Sequence, residues 1–180
     1  MAHITVPEGA PGIVGPLLAY PETAAPLAEF TQILMQGPSS LTIAERELIG
    51  AYVSSQNECR FCTYSHAATA RHLYGTERGI VDQVLADFQT APISDKLKAL
   101  LVIAGKVQQG GRRVTDEDVA KARAEGADDK AIHDTVLIAA AFCMFNRYVD
   151  GLATWAPEDP ALYDQRVAER GTSSYTQFLR

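Results

Sequence analysis

Cys59 and Cys62 form a C-x-x-C pair, and His66 follows the second cysteine by four residues. They sit in the stretch Glu47-Leu-Ile-Gly-Ala-Tyr-Val-Ser-Ser-Gln-Asn-Glu-Cys59-Arg-Phe-Cys62-Thr-Tyr-Ser-His66, which holds two of the three cysteines and one of the four histidines. Glu47 is a carboxylate inside its apolar part. Thiols near a helix start meet unpaired N–H groups and the positive end of the macrodipole, which favour the thiolate. Cys62 and His66 share a helix face at i, i+4, so an imidazole there can take the thiol proton. Cβ atoms three residues apart on a helix are roughly 5–6 Å apart, against about 3.8 Å for a disulfide. A small local shift would close a bridge, and a strained, accessible bridge is the reducible kind.

Helices must position these groups. Leu41, Ala44, Leu48, Tyr52 and Val53 recur at helical spacing before the pair, and Ala67, Ala68, Ala70, Leu73 and Tyr74 after it. Ser54-Ser-Gln-Asn57 separates the two helices, with Asn57 as the expected N-cap of the second and Gly75 as its end. Upstream, residues 2–21 carry Pro7, Pro11, Pro16 and Pro21 and read as an extended arm. Pro26 suits the first turn of a short helix ended by Gly37-Pro38. Downstream, helices are expected over 77–87, from a Ser94 cap to Gly110-Gly111, from a Thr115–Asp118 capping box to Gly126, and along an apolar run from about Lys130 to Leu152. The tail from residue 156 is rich in proline and charge, with one short helix at 160–169. No alternating strand pattern is present. The chain reads as all-α, about seven helices in a single domain of arm (1–21), core (40–155) and tail (156–180).

Composition narrows the function. A chain of 180 residues, 47% apolar and 21% charged, is that of an ordinary globular domain. It is long enough to bury about 70% of its unfolded surface. A net charge of −6 with a pI near 5.2 argues against a nucleic-acid or anionic-membrane partner. Three cysteines are too few for a secreted disulfide framework. With no signal peptide and no apolar run long enough to span a bilayer, a cytoplasmic location is expected.

The C-x-x-C pair has other readings. A zinc set would need His66, His72 or His133 plus Cys143, at no familiar spacing, so no metal is expected. Haem attachment needs histidine directly after the second cysteine, where Thr63 stands. Thioredoxin-like use needs a preceding strand. No cofactor is expected either. Glu47 could equally be a surface carboxylate paired with Arg46 or Arg71. Cys143 reads as an inert core thiol, His72 as solvated, Tyr52 and Tyr64 as packing residues, and Asn146-Arg147 as a polar pair at a helix end.

Glu47, eleven intervening residues, Cys59-x-x-Cys62, three more, and His66 together resemble the alkylhydroperoxidase D (AhpD)-like branch of the carboxymuconolactone decarboxylase superfamily. The later Phe145-Asn-Arg-Tyr-Val-Asp-Gly-Leu152 resembles its peroxidase-related subgroup. The resemblance spans roughly residues 40 to 155. It implies an all-helical homo-oligomer, a small-molecule peroxide (alkyl hydroperoxide) as substrate, and a thiol or dithiol reductant. It also implies roles: Cys62 as the thiolate that attacks peroxide, Cys59 as the resolving cysteine, and His66 with Glu47 as proton relay. Phe61 departs from the pattern, standing where the characterised hydroperoxidase has a second histidine. A decarboxylase or lactone-acting enzyme, or a redox sensor with little turnover, remain the alternatives on this fold.

The two sulfurs are expected to divide the labour. The helix dipole, typically 0.3–1 kcal/mol, favours Cys59, nearer the helix start. A histidine can depress a thiol by several pKa units at about 1.4 kcal/mol each, and favours Cys62. Cys62 is therefore expected to be the activated thiolate, oxidised first, with Cys59 the more exposed sulfur. The arm and tail, lacking a core of their own, are expected to pack across subunits.

Overall fold

The computed structural model describes residues 2–171 and 174–176. Among them nine α-helices and two short 3-10 turns, and no strand, build an all-α bundle. The helices are α1 (Val14–Ala19), α2 (Pro21–Gln36), α3 (Ile43–Gln56), α4 (Arg60–Tyr74), α5 (Gly79–Asp87), α6 (Asp95–Gln109), α7 (Asp116–Ala124), α8 (Asp129–Gly151) and α9 (Ala161–Arg170). No helix among the described residues is long and apolar enough to cross a membrane.

Most boundaries follow from local chemistry. Ser94 accepts a hydrogen bond from the Leu97 N–H, and Thr115 and Asp118 close a reciprocal capping box. Thr42 and Glu45 do the same for α3. Gly75 ends α4 at φ 58, a left-handed conformation that glycine adopts without steric cost. Two expectations need correction. The arm is not wholly extended: residues 14–19 form α1, whose Val14 and Pro16 are buried. Pro21, not Pro26, occupies the first turn of α2, and Pro26 lies inside that helix. The N–H it lacks would have bonded the carbonyl of Glu22, one turn back in an exposed first turn where water can serve instead.

The main core gathers around α3, in which every residue from Arg46 to Ser54 is buried. The helix packs most extensively on α4, then on α8 and α6. Gly50 permits the approach of α8, since a Cβ there would lie 2.6 Å from the Phe142 ring. The fully buried Phe142 contributes on the order of 2–3 kcal/mol of burial. A second, smaller cluster joins Ala10, Val14, Cys59, Phe61, Cys62, Ala68, Val149 and Tyr163. It is built from the arm, α4, α8 and α9, so the two termini close over the end of the bundle that carries the cysteines.

Candidate active site

The turn between α3 and α4 sets the positions of both sulfurs. The Glu58 N–H bonds the Ser55 carbonyl at 3.0 Å and the Cys59 N–H bonds the Ser54 carbonyl at 3.1 Å. This is the Schellman pattern, with Glu58 at φ 58 where glycine is usual. Asn57 is accordingly the C-cap of α3, and Cys59, at φ −80 and ψ 96, is the N-cap of α4. The expected Asn57 N-cap fails because the chain needs two more residues to reverse. Cys59 thus ends one helix and starts the next, and Cys62 lies in the first turn of α4. Both thiols are free, and the two cysteines approach to 3.6 Å.

Cys62 lines a cavity of about 210 Å³. Its walls come from α1 (Val14, Leu17), α2 (Leu27, Thr31), α4 (Phe61, His66), α8 (Phe142, Phe145), α9 (Tyr163, Val167) and the tail (Tyr175). Most of these side chains are apolar. Phe61 is held from two sides: its ring meets Tyr163 edge-on with centroids 6.1 Å apart, and Gly12 of the arm lies so close that a Cβ there would fall 2.1 Å from the ring. Phe61 is thus an apolar ring seated in the cavity wall.

His66 Nδ1 lies 2.7 Å from Glu47 Oε2, and Glu47 is fully buried. The surface reading of Glu47 is excluded: Arg71 pairs instead with Asp82 and Asp164, and Arg46 donates to the Leu34 and Gly37 carbonyls. Tyr175 Oη donates to Glu47 Oε1 at 2.5 Å. With Glu47 accepting at Nδ1, Nε2 is the His66 nitrogen left to exchange a proton with a group in the cavity. Phe142 meets the imidazole edge-on with centroids 4.5 Å apart and fixes its plane.

On its other side Cys62 faces polar groups. Asn146 is buried, accepts from Asn57 Nδ2 at 2.8 Å and donates to Ser54 Oγ at 3.0 Å. Gln108 donates to Asn57 Oδ1 at 2.9 Å, so a hydrogen-bonded chain runs from α6 through the α3–α4 turn to α8 and α3. The Cys59 thiol and burial push the Cys62 thiol well above its ordinary value, and the Asp150 charge adds to this; the Asn146 amide works the other way. This direction runs against the thiolate expected at Cys62. One expectation is corrected by exposure: Cys59 is not the more exposed sulfur, being 0% exposed against 3% for Cys62, and of the two only Cys62 reaches the cavity.

The structure brings Glu47, Cys59, Cys62 and His66 together, as their spacing implies. It adds Tyr175, Asn146 and Tyr163. Asn146 looks like a helix-end residue in the sequence, but α8 continues to Gly151. Tyr175 comes from the tail and carries no local signal. His72 is exposed, and Cys143 is half-buried with Asn57 Nδ2 at 3.5 Å. Tyr52 packs on Phe88 and Tyr64 on Tyr163, as packing residues should.

Residues 21–91, which enclose Glu47, Cys59, Cys62 and His66, match the carboxymuconolactone decarboxylase family. No curated protein is significantly similar to the chain. Among solved structures, an uncharacterized peroxidase-related protein from Silicibacter sp. TM1040 superposes with a TM-score of 0.74 at 28% identity, covering 84% of this chain and 79% of that one. An uncharacterized peroxidase-related protein from Ralstonia eutropha, described as an alkylhydroperoxidase AhpD core, gives 0.76 at 27% identity over 84% and 80%. A protein of unknown function from Agrobacterium tumefaciens shares the fold, with a TM-score of 0.67 at 20% identity over 82% and 99%. Residues 21–91 thus match the carboxymuconolactone decarboxylase family, and the whole fold is similar to that of AhpD-like, peroxidase-related proteins.

Proposed function

We propose that the protein is a thiol-dependent peroxidase that reduces an organic hydroperoxide through a Cys59–Cys62 dithiol–disulfide cycle. The observation that carries this reading is Cys62 on the wall of an apolar cavity that also holds His66, with Cys59 3.6 Å away. When peroxide occupies the cavity, His66 Nε2 accepts the Cys62 proton, and Glu47 stabilises the imidazolium through Nδ1. The thiolate attacks the nearer peroxide oxygen, the O–O bond breaks, and His66 returns the proton to the departing oxygen. The products are Cys62 sulfenic acid and one alcohol. Cys59 sulfur then displaces the sulfenic hydroxyl as water and leaves the disulfide. An external dithiol restores both thiols and is itself oxidised. A resting thiol suits this sequence, because the sulfur is deprotonated only when an acceptor is present.

The cavity walls favour a carbon chain or ring over hydrogen peroxide itself. Two structural relatives, both peroxidase-related proteins, support the same chemistry. A decarboxylase reading is favoured by one observation: the His66–Glu47 pair is complete without either thiol. We also propose a homo-oligomer, because Ile33 is 71% exposed and Leu18, Tyr20 and Met144 stand open as well. Light scattering should then return a multiple of 19.5 kDa.

Cumene hydroperoxide consumption with dithiothreitol tests the function. Sustained turnover, abolished by Cys59→Ser and by Cys62→Ser, is expected. Consumption of a single thiol equivalent would indicate a sensor instead. No consumption by fully reduced protein would return the site to acid–base chemistry.

A further inference from the structure

Gln32 lies in the second half of α2, a whole helix away from the relay in the chain. Its side-chain oxygen accepts from Ser174 Oγ at 2.9 Å and from the Tyr175 N–H at 2.8 Å, while its amide donates to Gln36 Oε1 at 2.9 Å. This anchor fixes the backbone of Tyr175 on the outside and directs the phenol inward. There Oη donates to Glu47 Oε1, and the ring lies nearly parallel to the His66 imidazole, at 14° with centroids 6.4 Å apart. Tyr175 also forms part of the cavity wall.

On the peroxidase reading of the site, we propose that Tyr175 is a positioning residue for the proton relay, delivered by the tail to fix Glu47 so that Glu47 can fix His66. A buried carboxylate needs donors on both oxygens. Glu47 Oε2 has His66, and Oε1 has Tyr175. Remove the phenol hydroxyl and Oε1 is left facing a mostly apolar cavity. The carboxylate then either rotates toward another donor or shares a proton, and each outcome weakens its hold on Nδ1. A loosely held imidazole samples both tautomers, and only the one protonated at Nδ1 offers Nε2 as a base. Burial first, then the Glu47 charge and the hydrogen bond to it, push the Tyr175 phenol well above its ordinary value, so it stays a donor at neutral pH. Tyr175 lies outside the matched family segment of residues 21–91, so the relay of this chain is completed by a residue beyond that segment.

The test pairs an activity readout with one that needs no activity. In the full chain labelled with ¹⁵N-histidine, the His66 signals (assigned by their loss in His66→Gln) should report the Nδ1-protonated tautomer. Tyr175→Phe keeps the ring in the wall and removes only the hydroxyl. It should show mixed tautomers at His66 and a roughly tenfold slower oxidation of Cys62 by cumene hydroperoxide, the scale of one lost hydrogen bond to a charged group. The apparent KM should be unchanged. Gln32→Ala, which frees the tail without touching the relay, should shift the tautomers in the same direction and raise the apparent KM. It carries the comparison if Tyr175→Phe does not fold. A wild-type tautomer and wild-type rate in either folded variant would overturn the inference. A tautomer shift in a protein that consumes no peroxide would sustain the positioning role and sink the peroxidase reading instead.

Discussion

Glu47 and Asp134 are both buried carboxylates, and each lies within hydrogen-bond distance of a histidine Nδ1. They do different work. Asp134 is held by Lys130 at 2.5 and 2.6 Å, by Ser39 at 2.6 Å and by His133 at 2.9 Å, on a histidine whose side chain is 63% exposed. Its charge is compensated on the spot, and the group ties α8 to the loop before α3. Glu47 has no lysine. It has a tyrosine and a histidine, and that histidine faces a cavity beside a thiol. Arg46 lies near both carboxylates, and burial lowers its pKa although both charges act against that. The two contacts differ in what surrounds them: Asp134 is bonded by a lysine and a largely exposed histidine, whereas Glu47 and its histidine face a cavity that also holds a thiol.

The largest expected effect breaks this comparison directly. His66→Ala should slow sulfenic acid formation by about 10²–10⁴-fold, the usual range for a lost general base. His133→Ala should leave it within twofold. Stopped-flow oxidation of the two variants checks this, and equal losses would dissolve the distinction between the pairs.

Asp134→Asn should instead cost stability, by about 1–3 kcal/mol at pH 7, with the activity of the folded protein retained. Burial alone would raise this carboxyl, but the bonds from Lys130, Ser39 and His133 outweigh it and lower it below the ordinary carboxylate range. A carboxyl lowered in the folded state stabilises the protein above its unfolded pKa, and that contribution is lost as pH falls through the folded value. The gap between wild type and Asp134→Asn in urea unfolding should therefore be widest near neutrality and close below about pH 4.

Asn146→Ala should give the smallest change and sharpen the contrast on the thiol side. The amide lowers a thiol that Cys59 and burial push up. Without it the thiolate fraction at pH 7 falls further. The peroxide step should slow about three- to tenfold, and raising the pH should recover it. A pH-independent loss would mean that Asn146 acts through packing alone.

How much of this was legible depended on how local the signal was. The C-x-x-C pair and His66 one turn on are short-range facts that helical spacing places on one element, whereas Glu47 meets His66 only through the packing of α3 on α4, which spacing left open. The Ser94 cap, the Thr115–Asp118 box and the Gly75 terminus were equally plain, because each satisfies backbone groups within four residues. The Asn57 cap was misplaced because a Schellman turn with glutamate at the left-handed position lacks its usual glycine marker. The reactivity of Cys62 was less legible, because spacing places an imidazole on a face without saying which nitrogen is taken, or by what. Tyr175 reaches Glu47 across a sequence separation of 128, and Asn146 reaches Ser54 across 92. No periodicity encodes such contacts, which arise only once the tail folds back over the bundle and α8 packs on α3.

The most direct measurement is dimedone trapping of sulfenic acid, mapped by mass, in the single cysteine variants after cumene hydroperoxide. Cys59→Ser should accumulate the adduct at Cys62, rapidly and without turnover. Cys62→Ser should react slowly, because Cys59 lies outside the cavity that admits the peroxide. An adduct at Cys59 formed in Cys62→Ser as fast as the Cys62 adduct in Cys59→Ser would contradict the assignment of Cys62 as the attacking sulfur.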